Sequence, residues 1–400
     1  MDLKSGYPFW AVKNGLMQSH APLQADLRCD VAVIGGGITG AIIADGLADA
    51  GFDVAVFEQR DIGWGSSAAS TALLQYEIDT HLADLSREFG EEPAAMAYRA
   101  CEDAIGMLGD LARGVRDVDF GRSDSLYFAS KRWHMRKLRA EYEARRRARL
   151  DTHWLDRDDI SRDYGFDAPA GLLTHTAARV DPYRLAHRLL QRLRRRGGGV
   201  YGRTRLEPVH VGSRQVVLES GEGMRVTARH VVVAAGYEAQ RWIRQDVASN
   251  RSSYACITEP VELGALADTM LWETARPYLY LRSTGDSRLL VGGEDDAVDI
   301  PKRRDARVDK KADTLMKRVA KLFPHLSMKP SFAWAGTFAE TKDGLPFFGP
   351  HQQWGPRVLF AMAYGGNGIV YSMLGAGLMR ARLERRGHPL QALFGFERLR

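Results

Sequence analysis

A glycine turn near the N-terminus constrains this chain more than any other feature, because it joins two short apolar runs and opens directly into a helical pattern. The run CDVAVI (29–34) is short and β-branched, as a buried parallel strand is. Gly35-Gly36-Gly37-Ile38-Thr39-Gly40 follows at once, and residues 38–50 read as a helix with Ile42, Ile43 and Leu47 on one face and Gly51 as its left-handed stop. Residues 53–57 return to strand, which Glu58 ends. Strand, turn, helix and strand within about thirty residues make a βαβ unit. Gly35, Gly37 and Gly40 hold the GxGxxG positions, for the tight turn, for close approach of backbone N–H groups to a diphosphate, and for helix–strand packing. The helix N-terminus is positive, and Glu58 is placed to accept hydrogen bonds from an adenosine ribose while repelling a 2′-phosphate, which disfavours NADP.

The remainder of the chain is large enough for a second lobe, since 400 residues exceed what one core usually organises. Hydrophobic residues at 45% and charged residues at 26% exclude a disordered or fibrous chain. The formal charge of +6 bears on association with anions and not on fold. Cys29, Cys101 and Cys256 have neither zinc spacing nor disulfide density, and the first residues lack an apolar signal core, so a cytoplasmic protein is expected. His81, His175 and His325 lack metal-ligand spacing, and no metal is expected. The apolar stretch 358–379 is broken by Gly365-Gly366-Asn367-Gly368, which predicts strand, glycine loop and buried helix in place of a membrane span. Residues 131–149 predict a solvated amphipathic helix, with Trp133, Leu138 and Tyr142 on its apolar face and arginines opposite, and no nucleic-acid surface. Arg194, Arg195 and Arg196 precede three glycines, where cations suit a helix C-terminus.

Three further segments bear on the ligand. Gly63-Trp64-Gly65-Ser66-Ser67-Ala68-Ala69-Ser70-Thr71-Ala72 is small and hydroxylated, so backbone can approach a large molecule there. VVVAAG (231–236) is a buried strand ending in small residues, as strands at a ligand crevice do. Residues 278–281 and 289–292, around a turn at 284–287, predict an antiparallel hairpin unlike the parallel start.

Together with Thr341-Lys342-Asp343-Gly344-Leu345-Pro346 and Tyr364-Gly365-Gly366-Asn367-Gly368, these segments resemble the D-amino acid oxidase and glycine oxidase superfamily of FAD enzymes. Val180-Asp181-Pro182-Tyr183-Arg184-Leu185 resembles that family too, and Phe9-Trp10 with residues 278–295 look nearest to its γ-glutamylputrescine oxidase-like branch. The resemblance implies an α/β protein: a Rossmann-type FAD-binding domain with parallel sheet, built from residues 1–90, 175–250 and 335–400, and a discontinuous α+β substrate domain with antiparallel sheet from 91–174 and 251–334. It implies noncovalent FAD held by Gly35, Gly37, Ile38, Thr39, Gly40, Glu58, Gln59, Arg60, Ser66, Ser67, Ser70, Thr71, Ala72, Leu73, Leu206, Ala234, Ala235, Gly236, Gly365, Gly366, Asn367, Gly368 and Ile369.

The implied reaction is oxidation of the C–N bond of a small amine or amino acid by hydride transfer to flavin N5, giving an imine that hydrolyses. Oxygen, forming H2O2, or another acceptor then reoxidises the flavin. Gly366, Asn367 and Gly368 are the candidates for stabilising charge at the flavin N1 and C2 carbonyl edge. Tyr280, Arg282, Phe338 and Tyr364 are candidates for the substrate pocket. Phe338 stands where glycine oxidases carry a carboxylate-clamping arginine, so the resemblance implies either that Arg282 or another arginine replaces it or that the substrate is an amine without an α-carboxylate. Leu290 stands about where sarcosine oxidase-like enzymes carry a lysine that promotes reaction with oxygen. A 2-hydroxy acid dehydrogenase of the same superfamily and a flavin-carrying electron-transfer subunit are the alternatives; neither nucleic acid nor stable membrane insertion is expected, and oligomeric state is not legible.

Overall fold

The computed structural model describes residues 2–297 and 299–399. Its strands fall into two sheets. In the first, Phe347–Pro350, Val358–Met362, Arg225–Val233, Leu27–Ile34, Val54–Phe57 and Gly199–Tyr201 lie side by side, parallel except where Phe347–Pro350 turns back on its neighbour. The register sets Ile34 beside Phe57 and Val233, and Val233 beside Phe360, so these strands end level. Val31, Val33, Val56, Val231 and Val233 are buried on one face or the other, which is why the runs show no alternation.

The predicted helix spans Ile38–Asp49, with Ala50 as its cap and Gly51 at φ +87. Two glycines of the turn are required by contact. A Cβ on Gly35, at φ +116, would lie 2.3 Å from the Ala234 carbonyl oxygen, and one on Gly40 would lie 1.9 Å from that of Gly35. Helix Pro182–Arg195 begins on Asp181, whose side chain accepts from the Arg184 N–H at 2.9 Å, with Pro182 in the first turn. At its far end Arg196 reaches Asp45 and Asp49. Stretch 358–379 resolves, as expected, into strand Val358–Met362, a glycine loop and helix Gly368–Leu383. No helix among the described residues is long and apolar enough to cross a membrane.

The second sheet runs in the order Lys4–Gly6, Pro330–Glu340, Ser249–Thr258, Leu289–Asp296, Leu279–Ser283, Thr269–Glu273, Gly121–Phe128, Ala170–Arg179, Leu73–Gln75, and His153–Asp156 pairs with Ala170–Arg179. It is antiparallel apart from the pair Thr269–Glu273 with Gly121–Phe128. The expected hairpin is Leu279–Ser283 with Leu289–Asp296. Lys4–Gly6 and Leu73–Gln75, from the first ninety residues, belong to this sheet, whereas helix Glu91–Val115 shares a core with helices Ile38–Asp49 and Gly368–Leu383.

Helix Met135–Arg147 departs from the predicted solvated face. Trp133 is 73% exposed, while Leu138, Glu141, Ala144 and Arg145 are buried. The arginine run therefore contains one residue whose charge is spent inside the protein.

Candidate active site

One continuous cavity opens at the level ends of the first sheet and runs onto the face of the second; its walls include Ile34, Glu58, Ala234, Tyr278 and Phe338. At one end the Glu58 carboxylate accepts the Gly36 N–H at 2.9 Å and the Arg60 N–H at 2.8 Å. Burial nevertheless pushes the Glu58 carboxyl upward. Arg60 pairs with Glu238 at 3.0 Å, and Gln59 also donates to Glu238. Helix Ile38–Asp49 starts at Gly37 with no side-chain cap; the Ile38 N–H donates to Ser67 Oγ at 2.8 Å. A carboxylate beside a positive helix end is a donor and acceptor set that fits an adenosine ribose and a diphosphate.

The small-residue loop is held from behind at three successive carbonyls. Trp334 Nε1 donates to Ala69 O at 2.9 Å, Trp10 Nε1 to Ser70 O at 2.7 Å, and Arg282 Nε to Thr71 O at 2.7 Å. This corrects the expected role of Arg282. It is buried, donates also to Ser283 O and Val180 O at 2.9 and 3.0 Å, and does not line the cavity. Burial lowers its pKa to about 10. Its donors go to backbone carbonyls, and it anchors the loop.

The glycine loop 365–368 forms the opposite wall, and helix Gly368–Leu383 starts from it without a side-chain cap. The Gly366 N–H is already taken, by Asp79 Oδ2 at 2.7 Å. The Asn367 side chain is buried and donates to the Glu77 carbonyl. That leaves the first N–H groups of this helix, from Gly368 and Ile369, as the donors at the wall. Tyr364 is a second correction. It is 1% exposed, its hydroxyl donates to Gly236 O at 3.2 Å, and it packs in the core while Ala363 and Gly365 on either side line the cavity.

Of the expected cofactor residues all but Gly40 line the cavity, and Gly40 packs against the turn. Tyr280 and Phe338 line it too, and burial pushes the Tyr280 phenol up to about 12. Sequence reasoning missed Asp79, Tyr127, Tyr237, Trp272, Arg276, Tyr278 and Asp295, all in the same walls, and set aside His81. Tyr278 had a signal, being two residues before Tyr280 on one strand face. Trp272 stacks on Tyr127 with centroids 3.7 Å apart, and the Tyr127 hydroxyl meets His81 Nε2 at 3.0 Å. Burial lowers the His81 pKa to about 4, so its imidazole is neutral at pH 7. Burial likewise raises the Asp295 carboxyl to about 6 and pushes Asp79 upward. No metal-binding group of His, Cys, Asp and Glu occurs among the described residues.

A parallel sheet with a dinucleotide cradle at its strand ends, opening onto an antiparallel sheet lined with aromatic and charged groups, defines a two-lobed nucleotide-cofactor oxidoreductase. The chain belongs to the DAO family of FAD dependent oxidoreductases, which matches residues 30–382. It is 27% identical over 377 residues to the γ-glutamylputrescine oxidoreductase of Escherichia coli (strain K12), covering 91% of this chain and 85% of that protein. It is 29% identical over 371 residues to the glycine oxidase of Geobacillus kaustophilus (strain HTA426), covering 90% and 93%. The crystal structure of glycine oxidase from Geobacillus kaustophilus superposes with a TM-score of 0.79 at 22% identity, covering 92% of this chain and 98% of that one. The protein is an FAD-dependent oxidoreductase with the fold of glycine oxidase.

Proposed function

We propose that this enzyme oxidises the carbon–nitrogen bond of a small amine or amino acid. The observation that carries the reading is the continuity of the cavity, from Glu58 past the N-terminal ends of two helices to an aromatic box on the antiparallel sheet. FAD, when bound there, supplies a two-electron acceptor at flavin N5. The protein's part is mostly placement. Tyr278, Tyr280, Trp272 and Phe338 present apolar faces that exclude water and favour a neutral amine over its ammonium form. The helix end at Gly368 and Ile369 aims N–H donors at charge gathering on the cofactor, in a setting where such donors act strongly. No compulsory acid–base pair is needed. The names of the relatives, γ-glutamylputrescine oxidoreductase and glycine oxidase, support an amine or amino acid substrate. The residue division 1–90, 175–250 and 335–400 against 91–174 and 251–334 belongs to this reading as the split between cofactor and substrate lobes.

The test is the visible spectrum of the purified, FAD-loaded enzyme before and after anaerobic addition of γ-glutamylputrescine, putrescine, glycine, sarcosine, glycolate and lactate. Bleaching by an amine supports the proposal. Bleaching by the hydroxy acids alone sinks it in favour of carbon–oxygen oxidation, and bands that no free substrate bleaches would point to an electron-transfer subunit. Reoxidation in air against reoxidation by an artificial acceptor then separates oxidase from dehydrogenase.

A further inference from the structure

Asp79 is a carboxylate in the wall of the cofactor cavity that the reaction proposed above does not use. It lies between strand Leu73–Gln75 and helix Leu82–Phe89, and it lines the cavity together with the glycine loop. Its Oδ2 accepts the Gly366 N–H at 2.7 Å, a length typical of a charge-assisted bond. A Cβ on Gly366 would lie 2.7 Å from Oδ1, and one on Gly365, at φ +92, would lie 3.0 Å from Oδ2, so both oxygens rest against the loop. Helix Gly368–Leu383 starts just beyond, without a side-chain cap. Such a helix end carries about half a positive charge and a carboxylate a whole negative one, so Asp79 outweighs the helix at the loop. The charged groups in reach do not reverse this. Arg276 favours the Asp79 anion, whereas Glu340 and Asp295 oppose it, and Glu340 has its own ion pair with Arg251. The phenols of Tyr237, Tyr278 and Tyr371 also face Asp79, and burial keeps them neutral at pH 7.

We propose that Asp79 sets the reduction potential of the bound flavin. Its carboxylate orders the glycine loop through the Gly366 N–H and, as a full negative charge beside the helix end, holds the potential below the value that the helix alone would give. Hydride uptake leaves a negative charge on the flavin, and a carboxylate nearby in a low-dielectric site disfavours that charge. The N–H groups of Gly368 and Ile369 still donate, and Asp79 limits how far they favour the reduced state. A lower potential makes the reduced enzyme the better electron donor to whatever reoxidises it. Asp79 acts here as a positioning residue, and its role holds whatever the substrate.

The experiment measures the two-electron potential of the FAD-loaded enzyme at pH 7 by equilibration with reference dyes, and its affinity for sulfite, which reports how well the site tolerates negative charge on the flavin. Asp79→Asn keeps an acceptor for the Gly366 N–H and removes the charge. It is expected to shift the two-electron equilibrium by about ten- to a hundredfold, the worth of a unit charge several ångströms away at an effective dielectric of about 20. That is a rise of about 30–60 mV, and sulfite should bind tighter by a similar factor. Arg276→Gln removes the opposing cation at an exposed position and is expected to lower the potential. A potential unchanged or lowered in Asp79→Asn overturns the proposal, as does tighter sulfite binding with no rise in potential, which would mark easier entry of an anion. Should Asp79→Asn fail to hold FAD, Arg276→Gln decides alone: a fall in potential supports the proposal, and a potential unchanged or raised overturns it. Neither readout involves an amine, so the outcome is independent of the amine-oxidising reading.

Discussion

At the scale of single residues, the cavity holds one carboxyl group above its ordinary pKa, and that has a measurable cost. Burial raises Asp295 to about 6 from an ordinary 3.8, with the Ser253 hydroxyl only partly opposing it. Between those two values the folded protein holds a proton that the unfolded chain has lost. Above pH 6 the charged carboxylate therefore penalises folding by its full amount, and the penalty fades as pH falls from 6 towards 3.8. Asp295→Asn should raise stability at pH 7.5 by on the order of 1–3 kcal/mol. The gain should shrink steadily on acidification, as urea titrations at several pH values would show; a gain independent of pH would refute the burial argument. Asp295 also shows why part of the site escaped the sequence. Glu58 was legible because a local motif fixes its place, whereas Asp79, Arg276 and Asp295 are brought together only by sheet pairing and loops distant in the chain. Arg282 was misread for a related reason. It shares a strand face with Tyr278 and Tyr280, but by that point the strand has passed beneath the small-residue loop, where Thr71 O takes its Nε–H. Tyr364 was misplaced because one residue along an extended segment reverses the side chain, and Ala363 and Gly365 are the neighbours that face the cavity.

At the scale of elements, the helices and strands of the cradle were legible and the buried face of helix Met135–Arg147 was not. Its arginines suggest solvent, yet Arg145 lies wholly inside, over the rings of Tyr76 and Tyr98. Arg145 Nε donates to Glu141 Oε1 at 2.8 Å and Nη1 to Glu77 Oε1 at 3.1 Å. One guanidinium thus serves two carboxylates. Burial lifts the Glu77 carboxyl despite Arg145, whereas for Glu141 the burial penalty is outweighed by Arg145, His81 and the Ala83 N–H, and its pKa is lowered. The element matters to function because the Glu77 carbonyl holds Asn367, and so ties this helix to the glycine loop. Arg145→Met would strand two buried carboxylates and should cost about 3–5 kcal/mol of stability. Adding Glu77→Gln and Glu141→Gln to it should recover most of that loss, because the uncompensated charges go with the guanidinium. Denaturant midpoints of the single and triple variants decide the point, and equal losses in both would show that packing of the arginine stem, not charge, carries the effect.

At the scale of the whole molecule, the two sheets share one large core, in which Val31, Val56, Val232 and Leu359 of the first lie with Leu74 and Ala178 of the second, and a smaller core lies under the cofactor loop. A compact core of Phe9, Trp10, Ala68, Tyr183, Ala255, Ile257, Leu290 and Trp334 draws on the N-terminal helix, the loop, helix Pro182–Arg195 and three strands of the second sheet. The cavity above it takes walls from both sheets. A ligand filling that cavity binds the joined arrangement and not the separated lobes, so it must raise the free energy of separating them. With FAD at a hundred times its Kd, unfolding should be a single transition stabilised by about 2.7 kcal/mol over the stripped protein. Stripped of FAD, the protein should still unfold in one transition, at a lower temperature, because the shared core spans both sheets. Trp10→Ala removes the bond to Ser70 O and empties a large side chain from the core under the cofactor loop, at a cost of about 3–5 kcal/mol. In that variant the transition should fall further, and more FAD should be needed to restore it than the native chain needs. Scanning calorimetry with and without FAD, on both proteins, reads this directly: two transitions in either stripped sample would mean that the lobes are separate cooperative units which the shared core does not couple.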